Sequence, residues 1–125
     1  MKATSNPDRP KKAFVRNVQN AILGLAGKPP VSSPEEVAKS IERGAVLLDV
    51  RTRIETKKNP VPGATNIPLI SLKGQLAELA RDKAFVTFCL RGGRAEKAKN
   101  LLQENGLKAI NGGGYKDILK ILEGK

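Results

Sequence analysis

A single cysteine lies at the centre of the segment best suited to chemistry, residues 85–94. Cys89 ends a short apolar run, and the loop after it holds two glycines between Arg91 and Arg94 before a polar, helix-forming stretch begins. Loop N–H groups, a helix N-terminus and nearby guanidinium groups all favour a thiolate over a thiol. The segment therefore predicts a nucleophilic cysteine that faces an anionic substrate.

A simpler interpretation of Cys89 is core packing, because free cysteines are commonly buried and behave as small hydrophobic residues. A core cysteine, however, requires neither a glycine pair nor two arginines within the next five residues. The glycines and arginines that follow Cys89 therefore favour a chemical role for the thiol.

Composition limits which chemistry is available. The chain has 125 residues, enough for one domain with a real core, and it contains one cysteine and no histidine. An internal disulfide and a Cys/His zinc site are excluded, and so are Cys-His and Ser-His-Asp catalysis. We predict no metal and no cofactor, and we expect electrostatics alone to activate the nucleophile.

The net charge of +11 is unevenly distributed. Residues 1–30 hold six basic residues and one acidic residue, a net charge of +5. Such a charge can indicate a nucleic acid or a membrane surface. From residue 31 onward, however, the bases are mixed with acids and no aromatic residues are interleaved for base stacking. We therefore expect a small anionic substrate and no nucleic-acid partner.

We predict two parts of the chain, a basic N-terminal arm over 1–30 and a compact domain over 31–125. Within the arm, apolar residues spaced by three and four predict a short amphipathic helix over 13–25. No apolar run is long enough to cross a membrane. We predict a cytoplasmic location, and a mitochondrial or periplasmic one stays open. The basic, acid-poor, amphipathic start is faintly similar to a transit peptide.

The domain alternates helices with short apolar strands. We predict helices over 34–43, 72–80, 93 or 94 to 105, and 115–122, and strands over 45–50, 64–68, 84–89 and 107–110. Turns are predicted over 60–63 and 111–114. Ser33 and Ser71 are the predicted caps of the first two helices. This alternation is typical of an α/β fold with a parallel sheet, where ligands bind beyond the carboxyl ends of the strands.

Several chemistry-bearing residues follow predicted strands and are expected to meet at one sheet edge. They are Asp49, Arg51, Cys89, Arg91, Arg94 and the glycine bend at 112–114.

Four short motifs resemble the rhodanese homology domain in their order and spacing. They are Leu-Asp-Val-Arg at 48–51, Val-Pro-Gly-Ala-Thr-Asn-Ile-Pro at 61–68, Phe-Cys-Leu-Arg-Gly-Gly-Arg-Ala at 88–95 and Gly-Gly at 113–114. The resemblance runs from about residue 31 to the C-terminus and is strongest to small single-domain thiosulfate sulfurtransferases of the phage-shock type. It implies a three-layer α/β/α fold with a central, mostly parallel sheet.

The chain departs from the family pattern at three places. Thr56 and Pro60 stand where the family usually has a Phe and a His, and the Trp that often follows the glycine pair is missing. We interpret the first two as differences in packing and turn structure, and the third as a change in the closing helix.

The resemblance implies a sulfurtransferase that works by covalent, ping-pong catalysis. The Cys89 thiolate would attack the sulfane sulfur of thiosulfate or of another persulfide donor and hold it as a cysteine persulfide. Cyanide or a thiol would then remove that sulfur, and a protein acceptor is a further candidate.

The same resemblance assigns roles to the neighbours of Cys89. Arg94 would act in catalysis by orienting the loop and binding the anion, and Arg91 would attract sulfonate oxygens. The backbone N–H groups of the loop would hold the persulfide. The loop consists of Leu90, Arg91, Gly92, Gly93 and Arg94. Asp49 would support the loop by pairing with basic groups, and Arg51 would be either its partner or a substrate contact.

Two other functions remain alternatives. Cysteine phosphatases of the cell-cycle type share the fold but have five residues between Cys and Arg, whereas this chain has four between Cys89 and Arg94. The shorter loop favours a sulfur atom over a phosphoryl group. The second alternative is a non-enzymatic binding or regulatory module, or a carrier that delivers sulfur to a protein partner.

Overall fold

The computed structural model describes residues 29–124, so the basic arm and the helix predicted over 13–25 lie outside the described residues. In chain order the helices are α1 Pro34–Glu42, α2 Arg53–Lys58, α3 Leu69–Leu72, a 3₁₀ helix Lys73–Glu78, α4 Gly93–Glu104 and α5 Tyr115–Glu123. The strands are β1 Val46–Asp49, β2 Thr65–Asn66, β3 Ala84–Cys89 and β4 Lys108–Gly114.

The four strands form one parallel sheet in the order β2-β1-β3-β4. Leu48 of the central strand β1 lies opposite Thr65 on one side and Thr87 on the other. The predicted α/β fold with a parallel sheet is confirmed. All four carboxyl ends meet at one edge, which we call the carboxyl edge.

Helices cover both faces of the sheet because its strands are apolar on both faces. One core cluster joins α3, the 3₁₀ helix and α4 to the sheet through side chains such as Leu72, Leu76 and Leu102. The other joins α1 and α5 to the opposite face through Val37 and Ile118. The result is the expected arrangement of helix, sheet and helix layers.

The start of α1 follows its predicted capping signals. The Ser33 hydroxyl accepts a hydrogen bond from the Glu36 N–H at 3.2 Å, and Pro34 occupies the first turn, where a missing N–H costs nothing. Gly44, just after the helix, has a φ of 93°, as expected for a residue that ends a helix.

Two predicted elements differ in the structure. The helix predicted from a Ser71 cap begins earlier, at Leu69, and continues as a 3₁₀ helix, so Ser71 lies inside α3. The predicted bend over 111–114 is instead the end of β4, which runs to Gly114. There the pairing with β3 shifts, since Thr87 lies opposite Asn111 but Cys89 lies opposite Gly114. The glycines accommodate a bulge rather than a chain reversal.

One helix, α2, was not predicted at all. It begins with a capping box, in which the Thr52 hydroxyl accepts from the Glu55 N–H and the Glu55 carboxylate accepts from the Thr52 N–H. Within residues 29–124, no helix is both long enough and apolar enough to span a membrane.

Candidate active site

Strand β3 carries Cys89 to the carboxyl edge of the sheet. The strand is buried along almost its whole length, and Cys89 packs in the same core cluster as Leu48, Leu72 and Ala95. The thiol is therefore shielded from bulk water, and its surroundings are set by the loop that follows.

That loop turns its backbone N–H groups toward the sulfur. The Gly92 N–H donates to Cys89 Sγ at 3.0 Å, and the Ala95 N–H donates to the same atom at 3.4 Å. Gly92 adopts a φ of 108°, a conformation that side chains disfavour, and α4 begins at the next residue. Two N–H donors at a helix N-terminus stabilise negative charge on the sulfur.

The loop members differ in exposure. Leu90, Arg91 and Gly93 are exposed, and Gly92 is buried against the sulfur. The Arg91 guanidinium forms no ion pair with any of residues 29–124, so it is free to meet an anion arriving from solvent.

Arg94 is held by Glu55, a residue that sequence reasoning missed. Its two terminal nitrogens donate to the two Glu55 carboxylate oxygens at 2.7 and 2.9 Å. The side chains of Arg94 and Glu55 are 34% and 31% exposed. The pair joins the start of α4 to α2, and so fixes the guanidinium beside the loop.

This pairing shifts the pKa of both groups. The hydrogen bonds from Arg94 lower the pKa of Glu55 to about 2, partial burial opposes the shift, and hydrogen bonds from Thr52 add to it. The pKa of Arg94 is raised, mainly by the Glu55 hydrogen bonds and further by electrostatic interaction with Glu55, Cys89 and Asp49, against the effect of burial.

Asp49 and Arg51 form a second ion pair, and this one is buried. The Arg51 Nε and Nη2 donate to the Asp49 carboxylate at 2.9 and 2.7 Å, with the side chains 1% and 0% exposed. Arg51 also donates to the Asn59 carbonyl at 2.8 Å. Of the two roles considered for Arg51, this is the geometry of a partner to Asp49, because solvent does not reach the guanidinium.

Thr56, one of the departures from the family pattern, makes a polar contact. Its hydroxyl donates to Asp49 Oδ2 at 2.8 Å, so the residue that we interpreted as a packing difference completes the hydrogen bonds of a buried carboxylate. The Tyr115 ring, just after the glycines, lies 4.6 Å from the Arg51 guanidinium carbon. That distance lies within the range of a cation–π contact.

Asn111 holds the loop from the side of β4. Its amide nitrogen donates to the Gly92 carbonyl at 3.0 Å and to Glu96 Oε1 at 3.1 Å, and its oxygen accepts from the Gly113 N–H at 2.9 Å. Nothing in the sequence indicates this role except a polar residue beside a run of glycines.

The residues expected at one edge are thus linked by direct contacts. Gly114 pairs with Cys89 in the sheet, Arg94 reaches α2, and α2 covers the Asp49–Arg51 pair. Glu55, Asn111 and the Ala95 N–H were not among the predicted site residues. Within residues 29–124, no three Cys, His, Asp or Glu side chains lie close enough together to hold a metal ion.

A comparison with protein families matches residues 33–124 to the rhodanese-like domain. The chain belongs to this family. The cysteine loop and the Asp-Arg pair described above are therefore features of a rhodanese-like domain, and the resemblance inferred from the four motifs is confirmed.

Two relatives share the single-domain size. The chain is 32% identical over 112 residues to thiosulfate:glutathione sulfurtransferase from Homo sapiens, covering 77% of this chain and 97% of the relative. It is 36% identical over 74 residues to thiosulfate sulfurtransferase PspE from Escherichia coli, covering 57% and 71%.

Among solved structures, the rhodanese-like domain is similar to the human single-domain sulfurtransferase TSTD1. The TM-score is 0.61 at 30% identity, and the match covers 74% of this chain and 96% of the human chain. Family and relatives together support sulfurtransferase activity in general.

Proposed function

We propose that this rhodanese-like domain is a thiosulfate sulfurtransferase. It moves sulfane sulfur from thiosulfate, or from a persulfide donor, to a thiophilic acceptor such as cyanide or a thiol. The observation that carries the proposal is the pair of backbone N–H groups, from Gly92 and Ala95, that meet at Cys89 Sγ.

The reaction has two balanced steps. In the first, the Cys89 thiolate attacks the outer sulfur of thiosulfate, a new S–S bond forms on Cys89, and the old S–S bond breaks with sulfite as the leaving group. In the second, the acceptor attacks the outer sulfur of the persulfide and Cys89 departs as a thiolate. No external oxidant or reductant is needed, and no proton must pass through an imidazole.

The two arginines of the cysteine loop, Arg91 and Arg94, have a part in these steps. Arg91, exposed and unpaired among the described residues, attracts the incoming thiosulfate. Arg94, fixed by Glu55, keeps a positive charge beside the loop, where a persulfide anion is stabilised. The loop N–H groups hold the sulfur in the way that an oxyanion hole holds oxygen.

The size of the loop supports sulfur over phosphorus. The Gly92 N–H already lies at hydrogen-bond distance from Sγ, and the carbonyl of Leu90 lies directly against Gly114 of β4. A phosphatase needs a ring of N–H groups wide enough to surround a phosphoryl group, and a four-residue connection leaves less room for one.

A binding or regulatory module is the other candidate. Retention of Cys89 together with Arg91 and Arg94 favours the enzyme, because binding alone requires none of these groups. Delivery of the sulfur to a protein acceptor uses the same persulfide and is compatible with the proposal.

The test is direct loading of the cysteine with sulfur. The full-length chain is incubated with thiosulfate, and intact mass spectrometry measures whether one sulfur atom is added; Cys89→Ser is the matched control. We expect the addition in the wild type only, followed by thiocyanate formation when cyanide is supplied. No added sulfur and no thiocyanate would overturn the proposal, and turnover of an aryl phosphate would favour the phosphatase.

A further inference from the structure

Most of the large exposed aliphatic side chains of the described residues lie in connections at the carboxyl edge of the sheet. Four large hydrophobic residues in 29–124 are exposed, namely Ile70 at 93%, Ile54 at 77%, Leu90 at 46% and Val31 at 43%. Isolated exposed hydrophobic residues are ordinary on protein surfaces, but a group of them marks an interaction site.

Three of the four lie in connections that leave the carboxyl edge. Ile54 is in α2 after β1, Ile70 is in α3 after β2, and Leu90 directly follows β3. These strands are neighbours in the sheet, in the order β2-β1-β3. The fourth residue, Val31, packs against the cysteine loop, since its Cγ2 lies 3.2 Å from where a Cβ atom on Gly92 would stand.

Direct contacts tie α2 to the cysteine loop and α3 to the end of the neighbouring strand β1. Glu55, next to Ile54, binds Arg94 at the end of the cysteine loop. The Leu69 N–H, next to Ile70, donates to the Val50 carbonyl at 3.1 Å, which places α3 at the end of β1. We call Val31, Ile54, Ile70 and Leu90 the apolar rim.

Positive charge accompanies the apolar rim. Arg53, Lys57 and Lys58 of α2 are exposed, as is Arg91, and none of them forms an ion pair within residues 29–124. The one acidic residue on α2 and the cysteine loop, Glu55, is paired with Arg94, so neither element carries an unpaired carboxylate. The surface is therefore apolar and cationic together.

We propose that the apolar rim is a docking surface for an acidic protein acceptor, which presents a cysteine thiol to the Cys89 persulfide. This inference rests on the proposed function and specifies its acceptor. Thiosulfate and cyanide have no apolar surface to match Ile54 and Ile70, whereas a protein has. The unpaired cations of α2 are complementary to an acidic partner.

Three other occupants of the apolar rim are disfavoured: the N-terminal segment of this chain and a second copy of the chain by their charge, and nucleic acid by the side chains of the rim. The N-terminal segment of this chain is itself basic, with a net charge of +5 over residues 1–30, and a second copy would bring the same cations to the contact. Nucleic acid would suit the charge, but the apolar rim is aliphatic and offers no aromatic side chain for base stacking.

The transfer to the acceptor is balanced without a co-reactant. The acceptor thiolate attacks the outer sulfur of the Cys89 persulfide, the S–S bond to Cys89 breaks, and a new S–S bond forms on the acceptor. Cys89 leaves as a thiolate, ready for the next thiosulfate.

The experiment compares two acceptors on the full-length chain. One is cyanide, and the other is a synthetic peptide with a single central cysteine flanked by leucines and glutamates. The variants are the double change Ile54→Ser with Ile70→Ser, and the single change Lys57→Glu. The matched control is Lys83→Glu, which alters an exposed lysine immediately before β3, at the opposite edge of the sheet.

We expect kcat/KM for the peptide to fall about tenfold in both rim variants, as for residues central to an interface. Turnover of cyanide should stay within about twofold of wild type, since neither isoleucine nor Lys57 contacts the sulfur. Lys83→Glu should leave both reactions unchanged. Peptides with glutamine for glutamate, or serine for leucine, should be poorer acceptors.

Several results would overturn the docking surface. If the rim variants lost kcat/KM equally with cyanide and with the peptide, the substitutions would act on Cys89 itself. If peptide transfer were unchanged in these variants, the apolar rim would have no role in docking. Faster peptide transfer in the full-length Ile22→Ser variant would show that the N-terminal segment covers the rim. Sulfur loading from thiosulfate is measured first on every variant, so failure of the proposed function is recognised separately.

Discussion

Two arginines of the site each bind a carboxylate through two nitrogens, but in opposite surroundings. Arg51 and Asp49 are buried, with side chains 1% and 0% exposed, whereas Arg94 and Glu55 keep about a third of their surface in solvent. A buried pair is costly to break, and an exposed pair contributes little to stability. The two pairs should therefore respond differently to mutation.

Arg94→Ala should reduce turnover far more than it reduces stability. The change removes the positive charge beside the cysteine loop, and a lost electrostatic contact of this kind costs about a hundredfold in kcat. The free energy of unfolding should fall by only about 1 kcal/mol, because the Glu55 pair is partly exposed. Thiocyanate formation measures the first quantity and urea denaturation the second. If the loss of turnover were no larger than the loss of folded protein accounts for, Arg94 would have a structural role only.

The stability effect of the same variant should depend on pH in a defined direction. Arg94 lowers the pKa of Glu55 from 4.5 to about 2, so the pair stabilises the fold above pH 4.5 and loses this contribution as pH falls toward 2. The unfolding free energies of wild type and Arg94→Ala should therefore converge on acidification. If the difference in unfolding free energy between the two proteins stayed constant down to pH 2, the ion pair with Glu55 would not be the source of the stability that Arg94 contributes.

At this residue scale, the sequence pointed to the nucleophile but not to its supports. Cys89 stood out because nothing else in the chain combines a thiol, glycines and arginines. Glu55 was missed although a signal existed, since Thr52 and Glu55 have the Thr-x-x-Glu spacing of a capping box. Asn111 had no such signal, because its amide nitrogen donates to the carbonyls of Pro30 and Gly92, which lie 81 and 19 residues away in the chain.

Among the elements, β4 shows most clearly why a glycine run was misread. Gly112, Gly113 and Gly114 suggested a bend because glycine is common in turns. In the structure they let β4 bulge and approach its neighbours closely. A Cβ atom on Gly112 would press on Val86, and one on Gly114 would overlap the Leu90 carbonyl oxygen. Close approach between elements leaves no local pattern in the sequence.

Gly114→Ala should therefore disturb the cysteine loop. The added Cβ atom would meet the Leu90 carbonyl and the Arg91 backbone, and neither can move without shifting the N–H groups that face Cys89. We expect sulfur loading by thiosulfate to fall about tenfold or more. Loading is measured by intact mass over time.

The matched control for this change is Gly74→Ala in the 3₁₀ helix. A Cβ atom on Gly74 meets nothing within 4 Å, so the substitution should leave loading unchanged. If Gly114→Ala loads sulfur at the wild-type rate, the close contact of β4 with the loop has no part in the chemistry.

Across the whole molecule, the Asp49–Arg51 pair joins elements that lie far apart in the chain. The Arg51 guanidinium carbon lies 5.7 Å from the Phe88 ring of β3 and 4.6 Å from the Tyr115 ring of α5. It also binds the Asn59 carbonyl at the end of α2. The order of the four strands and of most helices could be predicted from hydrophobic patterns, although α2 could not. This convergence follows instead from the sheet order β2-β1-β3-β4, which the patterns do not specify.

Asp49→Asn should destabilise the entire domain rather than the site alone. The substitution leaves the Arg51 guanidinium buried without a counter-charge, which costs about 3–5 kcal/mol. A domain of this size has a total stability of about 5–15 kcal/mol, so the variant should unfold at a much lower urea concentration. Glu55→Gln, which neutralises the exposed pair, is the control and should cost about 1 kcal/mol or less. If Asp49→Asn lost turnover at full stability, the buried pair would belong to the chemistry rather than to the fold.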